Sequence, residues 1–315
     1  MTHPTTAAIV DIGSNSIKLL VARRDPASGG LLPLFQRTEE TRIGTGITDN
    51  PPRLRDDPMD RAVASVQTLL ADAANHGADA IRIVATSAVR DAANRQVFID
   101  RLREATGQTL SVLSGDEEAA GIGRGIACDP ALASVREFYL VDLGGGSLEM
   151  LEFRGGAVKQ LASLQLGCVR VTEHCVADAK RALTADEIEC VRRHVRDGIG
   201  ASGFRFDLPA PVTAVVTGGT ATTFRAIEAA ISGRPFNATS PIIPVAALND
   251  LGLRLATLAI EDRCTIPGVP PARADVFPAA LLTLVEVAGF ARAIEFRHSF
   301  YNLRFGIAAQ VLGTD

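Results

Sequence analysis

Apolar and polar positions along the chain repeat one phrase twice. Residues 9–21 read IVDIGSNSIKLLV and residues 140–152 read LVDLGGGSLEMLE. Each is an apolar run ending in Asp, a turn of Gly, Ser or Asn, and a second apolar run, which predicts a strand, a tight turn and a returning strand. Aligned without a gap, Asp11 falls on Asp142, Gly13 on Gly144, Ser16 on Ser147 and Leu20 on Leu151. A third strand is expected over 31–42. Residues 57–76 carry Val63, Val66, Leu69, Leu70 and Ala73 at helical spacing, with Gly77 as the stop. A β-branched run over 81–85 reads as strand, about 94–106 as helix, 110–114 as strand, and 117 to about 128 as helix.

After the second hairpin the pattern gives a strand near 157–164 and a helix opened by the capping box Thr184-x-x-Glu187. Another β-branched run, 212–217, ends in Thr217-Gly-Gly-Thr220, and helices fill most of the remainder. Strands alternating with helices describe an α/β protein. The repeat and the length of 315 residues describe two similar domains, 1–127 and 128–299, joined by a crossing over 128–137. A C-terminal helix of about 300–315 is free to pack back on the first domain.

Composition narrows the function classes. Hydrophobic residues are 47% and charged residues 22% of the chain, ordinary for a globular protein. No run approaches 18 apolar residues and no leader pattern opens the chain, so no membrane partner and a cytoplasmic location are expected. Aromatic residues are 5% with no Trp, and net charge is −4, which leaves little for stacking on or coating a nucleic-acid polymer. Of 32 basic residues only three are Lys. Five cysteines, at 128, 168, 175, 190 and 264, form an odd set with no Cys-x-x-Cys, so reduced thiols are expected.

The glycine turns carry the first chemistry. One supplies Asp11, Gly13, Ser14, Asn15 and Ser16; the other supplies Asp142, Gly144, Gly145, Gly146 and Ser147. Glycine permits the close backbone approach that an anion-cradling turn needs, and two such turns suggest two domains gripping one phosphate chain. A plain tight turn is the alternative, but a hairpin needs one or two glycines rather than three in a row. Asp142 and Glu149 suit Mg²⁺, which takes few carboxylates and retains water; structural or solvated acids are the alternative. Gly218, Gly219 and Thr220 lead from a strand into a helix, whose first N–H groups attract anions. Ser114-Gly-Asp-Glu-Glu118-Ala places three acids at a helix start, where capping explains them equally well. Gly121-Ile-Gly-Arg-Gly125 imitates a dinucleotide fingerprint but lies within a helix and follows no strand, so it is set aside.

Taken in order, these motifs resemble the exopolyphosphatase and guanosine pentaphosphate phosphohydrolase family of the actin-like, sugar-kinase-like ATPase superfamily. The resemblance runs through Asp11-Ile-Gly-Ser-Asn-Ser16, Ala85-Thr-Ser-Ala-Val-Arg90-Asp-Ala-Ala-Asn94, Ser114 to Ala119 and Asp142 to Glu149. It continues through Leu166-Gly-Cys168, Thr217-Gly-Gly-Thr220, Arg273-Ala-Asp275 and Leu303-Arg304-x-Gly306. It implies two ribonuclease-H-like (actin-like ATPase) domains with an active-site cleft between them. It also implies that Glu118, with Glu117 as second candidate, aligns water on a terminal phosphoryl group. The glycine turns would hold phosphates, Arg90 would neutralise charge, and Asp142 with Glu149 would hold Mg²⁺. Polyphosphate or guanosine pentaphosphate is the implied substrate, and a homodimer suits the family. A small-molecule kinase or a non-catalytic nucleotide-binding protein of the same superfamily is the alternative; neither requires a water-orienting glutamate. Leu148 stands where the family usually has Thr, the third turn reads Thr217-Gly-Gly-Thr220 where the family more often has Ala-Ser-Gly-Thr, and Phe305 with Tyr301-Asn302 replaces a more polar ending. The chain resembles the short form that lacks extra C-terminal helical domains.

Overall fold

The computed structural model describes residues 4–314. The chain forms two compact α/β units. One runs to Ser134 and takes back the chain from Tyr301; the other is Val135–Phe300. The division falls seven residues after the expected 127/128. Residues 128–134 stay with the first unit, where Asp129 caps the short 3₁₀ turn Pro130–Leu132 by accepting from the Ala131 N–H.

In the first unit, β1 (Thr6–Ile12) and β2 (Ser16–Arg24) form the first repeated hairpin, and β3 (Leu31–Glu40) pairs antiparallel with β2. Helix α1 (Asp56–Asn75) returns the chain to β4 (Ala80–Ala85), which runs parallel to β1. The short α2 (Ser87–Asp91) and α3 (Arg95–Thr106) lead to β5 (Leu110–Val112), and α4 (Gly115–Ala127) follows. The sheet order is β3-β2-β1-β4-β5. A central strand covered on both faces must be apolar on both, and β1 is: Ala7, Ala8, Ile9, Val10 and Ile12 are all fully buried. The final helix of the chain, Leu303–Leu312, packs on α4 where Gly121, Gly125 and Gly306 let the two backbones approach. The fingerprint-like glycines thus serve helix packing.

The second unit opens with β6 (Phe138–Leu143), β7 (Leu148–Arg154) and β8 (Ala157–Leu164). Then come α5 (Cys168–Cys175), α6 (Ala185–Ala201), β9 (Ala214–Thr217) and α7 (Gly219–Ser232). The remainder is β10 (Ile242–Pro244), α8 (Val245–Ala256), α9 (Ile260–Thr265), α10 (Phe277–Ala291) and β11 (Glu295–His298), the last helix of the first unit being α11. The sheet order is β10-β11-β9-β6-β7-β8. Without its edge strand β10, the succession β8-β7-β6-β9-β11 repeats that of the first sheet. The hairpin pairing is again antiparallel and the next two pairings parallel. The sequence pattern suggested helices rather than β10 and β11. Strands of three and four residues carry too little periodicity to register, and they form because a neighbouring edge is in place. Helix α10 is buried along nearly its whole length and packs on α6 and α8, which explains its uniformly apolar sequence.

The thiol expectation is corrected in one pair. Cys175, closing α5, and Cys190 on α6 form a disulfide with Cα atoms 5.5 Å apart. A separation of 15 residues gave no hint of it; the packing of α5 on α6 brings the pair together. Cys128, Cys168 and Cys264 are free thiols. No helix among the described residues is long and apolar enough to cross a membrane.

Candidate active site

The two repeated turns close identically. Gly13 N–H donates to Ser16 O at 3.1 Å, and Gly144 N–H donates to Ser147 O at 3.0 Å. Behind each turn, another segment takes up the carbonyls. In the first unit Gly44 N–H donates to Ser14 O at 2.8 Å, and the amides of Thr41 and Arg42 donate to Asn15 O at 3.2 and 2.9 Å. In the second, the start of α5 does this work: Cys168 N–H reaches Gly144 O at 2.9 Å and Val169 N–H reaches Gly145 O at 2.8 Å. The Arg170 Nε–H adds a bond to Gly146 O at 3.1 Å. C=O and N–H of one planar peptide point in opposite directions. Latching these carbonyls therefore turns the N–H groups of Asn15 and Ser16, and of Gly145 and Gly146, to the opposite side, the arrangement of an anion nest. Gly167 is obligatory for the second latch, because a Cβ there would lie 2.3 Å from Ser147 N and 2.4 Å from Gly145 C.

Polar atoms without hydrogen-bond partners gather at these turns. Asp11 Oδ1, Ser14 Oγ and Asn15 Oδ1 are buried and unpartnered in the first; Asn15 directs its amide to Glu40 at 2.7 Å. Burial pushes the Asp11 carboxyl above its ordinary pKa, against the opposing pull of Lys18 and Arg304. In the second unit Thr217 Oγ1 and Thr220 Oγ1 are fully buried without partners. Native proteins leave few such groups, so a cluster of them at glycine turns marks a place built for a polar ligand.

Strand register gives the second unit a row of oxygen donors. Asp142 on β6 stands opposite Glu149 on β7 and beside Thr217 on β9, while Ser163 on β8 faces Glu149 and donates to it at 2.8 Å. Residues directly opposite in a sheet share one face. Glu149 is 2% exposed, a burial that a carboxylate tolerates only with partners. Asp142 also abuts the third turn: Gly218 has φ +96°, and a Cβ there would lie 2.6 Å from Asp142 Oδ1. Two carboxylates and an unpartnered hydroxyl, all oxygen, fit a hard divalent cation and suit no soft metal. The set is a pair of acids rather than a full protein cage; among the described residues no group of three or more His, Cys, Asp or Glu is arranged to hold a metal ion.

The acidic run at α4 separates by role. Ser114 and Glu117 complete a reciprocal capping box, with Glu117 Oε2 accepting from Ser114 N–H at 2.8 Å. Those bonds hold the exposed Glu117 carboxyl below the usual carboxylate range. Glu118 points the other way and is buried, and its Oε2 lies 2.7 Å from Arg90 Nη1. Arg90 also donates to Leu113 O at 3.1 Å, which fixes the guanidinium at the end of β5. Sequence reasoning gave Arg90 to the substrate; in the structure its direct partner is Glu118.

Two arginines beside the turns escaped the sequence reading. Arg170 supports Gly146, and Arg273 lies across Gly219 with Nη1 3.5 Å from Thr223 Oγ1. Both stand in or beside short motifs already noted, Leu166-Gly-Cys168 and Arg273-Ala-Asp275, yet neither adjoins a glycine turn in sequence. Arg304 is a backbone support: it is buried and donates to Leu19 O at 3.0 Å. Leu148, at a position where the family usually has Thr, is fully buried, paired with Leu143 at the end of the hairpin, and serves the core.

Comparison with known proteins places the chain in a family. Residues 20–314 match the Ppx/GppA phosphatase family. Over 296 residues the chain is 32% identical to Exopolyphosphatase 2 of Mycobacterium tuberculosis, covering 90% of each protein. It is 30% identical over 275 residues to an uncharacterised protein of Streptomyces coelicolor, covering 85% of this chain and 78% of that one. In fold it is similar to the PPX-GPPA enzyme of Aquifex aeolicus, with TM-score 0.76, 24% identity, and 98% and 99% of the two chains covered. It is similar also to an exopolyphosphatase from Cytophaga hutchinsonii, with TM-score 0.84, 21% identity and coverage of 98% and 99%. The chain belongs to the Ppx/GppA phosphatase family, hydrolases of phosphoanhydride bonds built on the actin-like ATPase fold.

Proposed function

We propose that this protein removes terminal phosphoryl groups from inorganic polyphosphate, or from guanosine pentaphosphate, by Mg²⁺-dependent attack of a water molecule oriented by Glu118. The observation that carries the reading is Glu118 itself: a buried carboxylate at the start of α4, gripped at 2.7 Å by Arg90, while its neighbour Glu117 is occupied in the cap. Arg90 holds the Glu118 carboxyl group in place, and a positioned carboxylate is the kind of group that can take a proton from an attacking water. The exopolyphosphatase name of the 32%-identical relative supports the same substrate class.

The remaining roles follow from charge. Amides of the glycine turns and the hydroxyls of Ser14, Thr217 and Thr220 donate to phosphate oxygens; Asp142 and Glu149, with Thr217 beside them, hold the cation. Magnesium offsets negative charge on the phosphate oxygens. Phosphoryl transfer asks a protein mainly for positioning and charge neutralisation, so this inventory is sufficient.

The test is phosphate release with Mg²⁺, comparing polyphosphates of several lengths, guanosine pentaphosphate and ATP. Glu118→Gln is expected to slow turnover about 10²- to 10⁴-fold with little change in KM. Full activity in Glu118→Gln, or transfer from ATP to an organic acceptor with no release to water, overturns the reading. Net charge of −4 and only three lysines leave little for an extended anion track, so short polyphosphates or guanosine pentaphosphate are the expected substrates. Digestion of a long polymer should then give a ladder drifting downward on a gel. Intact polymer coexisting with free phosphate would instead show processive action.

A further inference from the structure

Arg225 on α7 is a buried cation that no carboxylate among the described residues pairs with. Its guanidinium lies over the Phe236 ring, 4.7 Å from the centroid, and 5.7 Å from that of Phe300. Neutral acceptors take its protons: Thr239 O at 2.9 Å, Thr239 Oγ1 at 3.0 and 3.2 Å, and His298 Nδ1 at 3.1 Å. A buried arginine without a counter-ion is costly, which asks for a reason to keep it.

The hydrogen-bond directions supply one. A guanidinium can only donate, so His298 Nδ1 must accept, and the neutral ring then carries its proton on Nε2. Burial first, and the neighbouring Arg225 second, push the His298 pKa down to about 3, which keeps the ring neutral. Nε2 lies 3.4 Å from Thr222 Oγ1, and Thr222 Oγ1 in turn donates to Gly218 O at 3.1 Å. The Thr222 N–H reaches the same carbonyl at 3.3 Å. Every proton in this chain thus points from Arg225 toward the third glycine turn. His298 is placed for the task by β11, which runs parallel to β9 with His298 beside Val216, one residue before Thr217.

We propose that Arg225, His298 and Thr222 form a one-way hydrogen-bond relay that positions the third glycine turn for phosphate, with His298 as its central positioning residue. Holding Gly218 O inward turns the N–H of Gly219, in the same peptide plane, to the opposite side. Gly218 at φ +96° makes that orientation available, and the relay selects it. The proposal rests on the phosphate-binding reading of this turn.

The test uses His298→Leu, which removes both ring nitrogens, Thr222→Val, which removes the hydroxyl, and the double variant. His298→Gln and Thr222→Ser serve as conservative partners. Amide hydrogen exchange of a peptide spanning 217–223, without ligand, reads the relay itself; pyrophosphate affinity and KM for short polyphosphate read its use. Each disruptive single variant is expected to speed exchange and to weaken pyrophosphate binding about 3- to 10-fold, the range of one net hydrogen bond. The double variant should lose no more than the worse single, since both cut one chain. Thr222→Ser, and in part His298→Gln, should restore affinity. Additive losses, or unchanged exchange in well-folded variants, overturn the relay. Faster exchange with unchanged pyrophosphate affinity overturns its use for phosphate. Wild-type protein that binds no pyrophosphate overturns the phosphate reading, a result the exchange data keep separate.

Discussion

The two hairpins share a backbone and differ in the row of side chains across it. In the first unit the row reads Thr38, Lys18, Asp11 and Val84; in the second it reads Ser163, Glu149, Asp142 and Thr217. The aspartates coincide. What faces them is a cation in one copy and a second acid in the other. The first turn thus carries cations beside its aspartate, Lys18 and Arg304, whereas the second concentrates acids; under the proposed function, the first would meet phosphate charge directly and the second through Mg²⁺. Duplicating a fold duplicates the peptide geometry of an anion nest. What differs between the two copies is the charge of one cross-strand partner, Lys18 or Glu149.

The most damaging way to break this contrast is Glu149→Lys, which writes the first row into the second. It is expected to lower phosphate release more than 10³-fold, because it puts a competing cation where the proposed function has an acid holding Mg²⁺. The milder Glu149→Gln should mainly raise the Mg²⁺ concentration giving half-maximal activity. If activity falls with an unshifted midpoint, the acid orients the turn without touching metal.

The latches behind the turns differ in tolerance. Gly167→Ala places a Cβ against turn backbone at 2.3 Å, and backbone cannot step aside; Gly44→Ala meets the Ser14 Cβ at 2.7 Å. A loss of about 2–4 kcal/mol is expected for Gly167→Ala and roughly half of that for Gly44→Ala, measured by denaturant unfolding. Equal losses would mean that the α5 latch is no stiffer than the loop of residues 41–44.

Arg170→Met removes the Nε–H bond to Gly146 O and the guanidinium charge while keeping much of the packing. A stability loss of about 1–2 kcal/mol is expected, with a rise in KM that Lys in place of Met does not reverse, since Lys cannot present the Nε–H at the same angle. A KM unchanged in a well-folded Met variant would remove Arg170 from the turn's support.

The smallest expected effect is a gain. Burial raises the folded pKa of Asp11 above its unfolded value. Folding is therefore helped by this group at pH below the unfolded value, and the help is lost as pH rises through the folded value. Asp11→Asn should stabilise the ligand-free protein at neutral pH by about 2–4 °C in Tm, the equivalent of roughly 1 kcal/mol, and the gain should vanish in acid. A lower Tm at neutral pH would show that Lys18 and Arg304 outweigh the cost of burial.

Legibility followed the range of the interactions. The hairpins, the strands at 81–85 and 212–217, α1 and the Thr184-x-x-Glu187 capping box were readable, because strand alternation, helical spacing and Thr three residues before Glu are local signals. Shorter elements were not: β10 and β11 exist only where a sheet edge receives them, and His298 went unnoticed with β11. Glu118 was ranked ahead of Glu117 only through the resemblance; that Glu117 closes the cap and Glu118 meets Arg90 is visible only in the fold. The Cys175–Cys190 bond was invisible for the same reason, since α5 and α6 meet only after folding.

The sequence by itself determined the α/β alternation, the duplication, the three glycine turns and the family. These are written in residue type and short spacing, which fix local backbone choices wherever the segment ends up. Tertiary structure alone decided which carbonyls are latched behind each turn, that Asp142 stands between Glu149 and Thr217, and that Arg90 holds Glu118. Those depend on strand register and helix packing between residues tens of positions apart, and long-range register is set by burial of the whole sheet rather than by any stretch of chain.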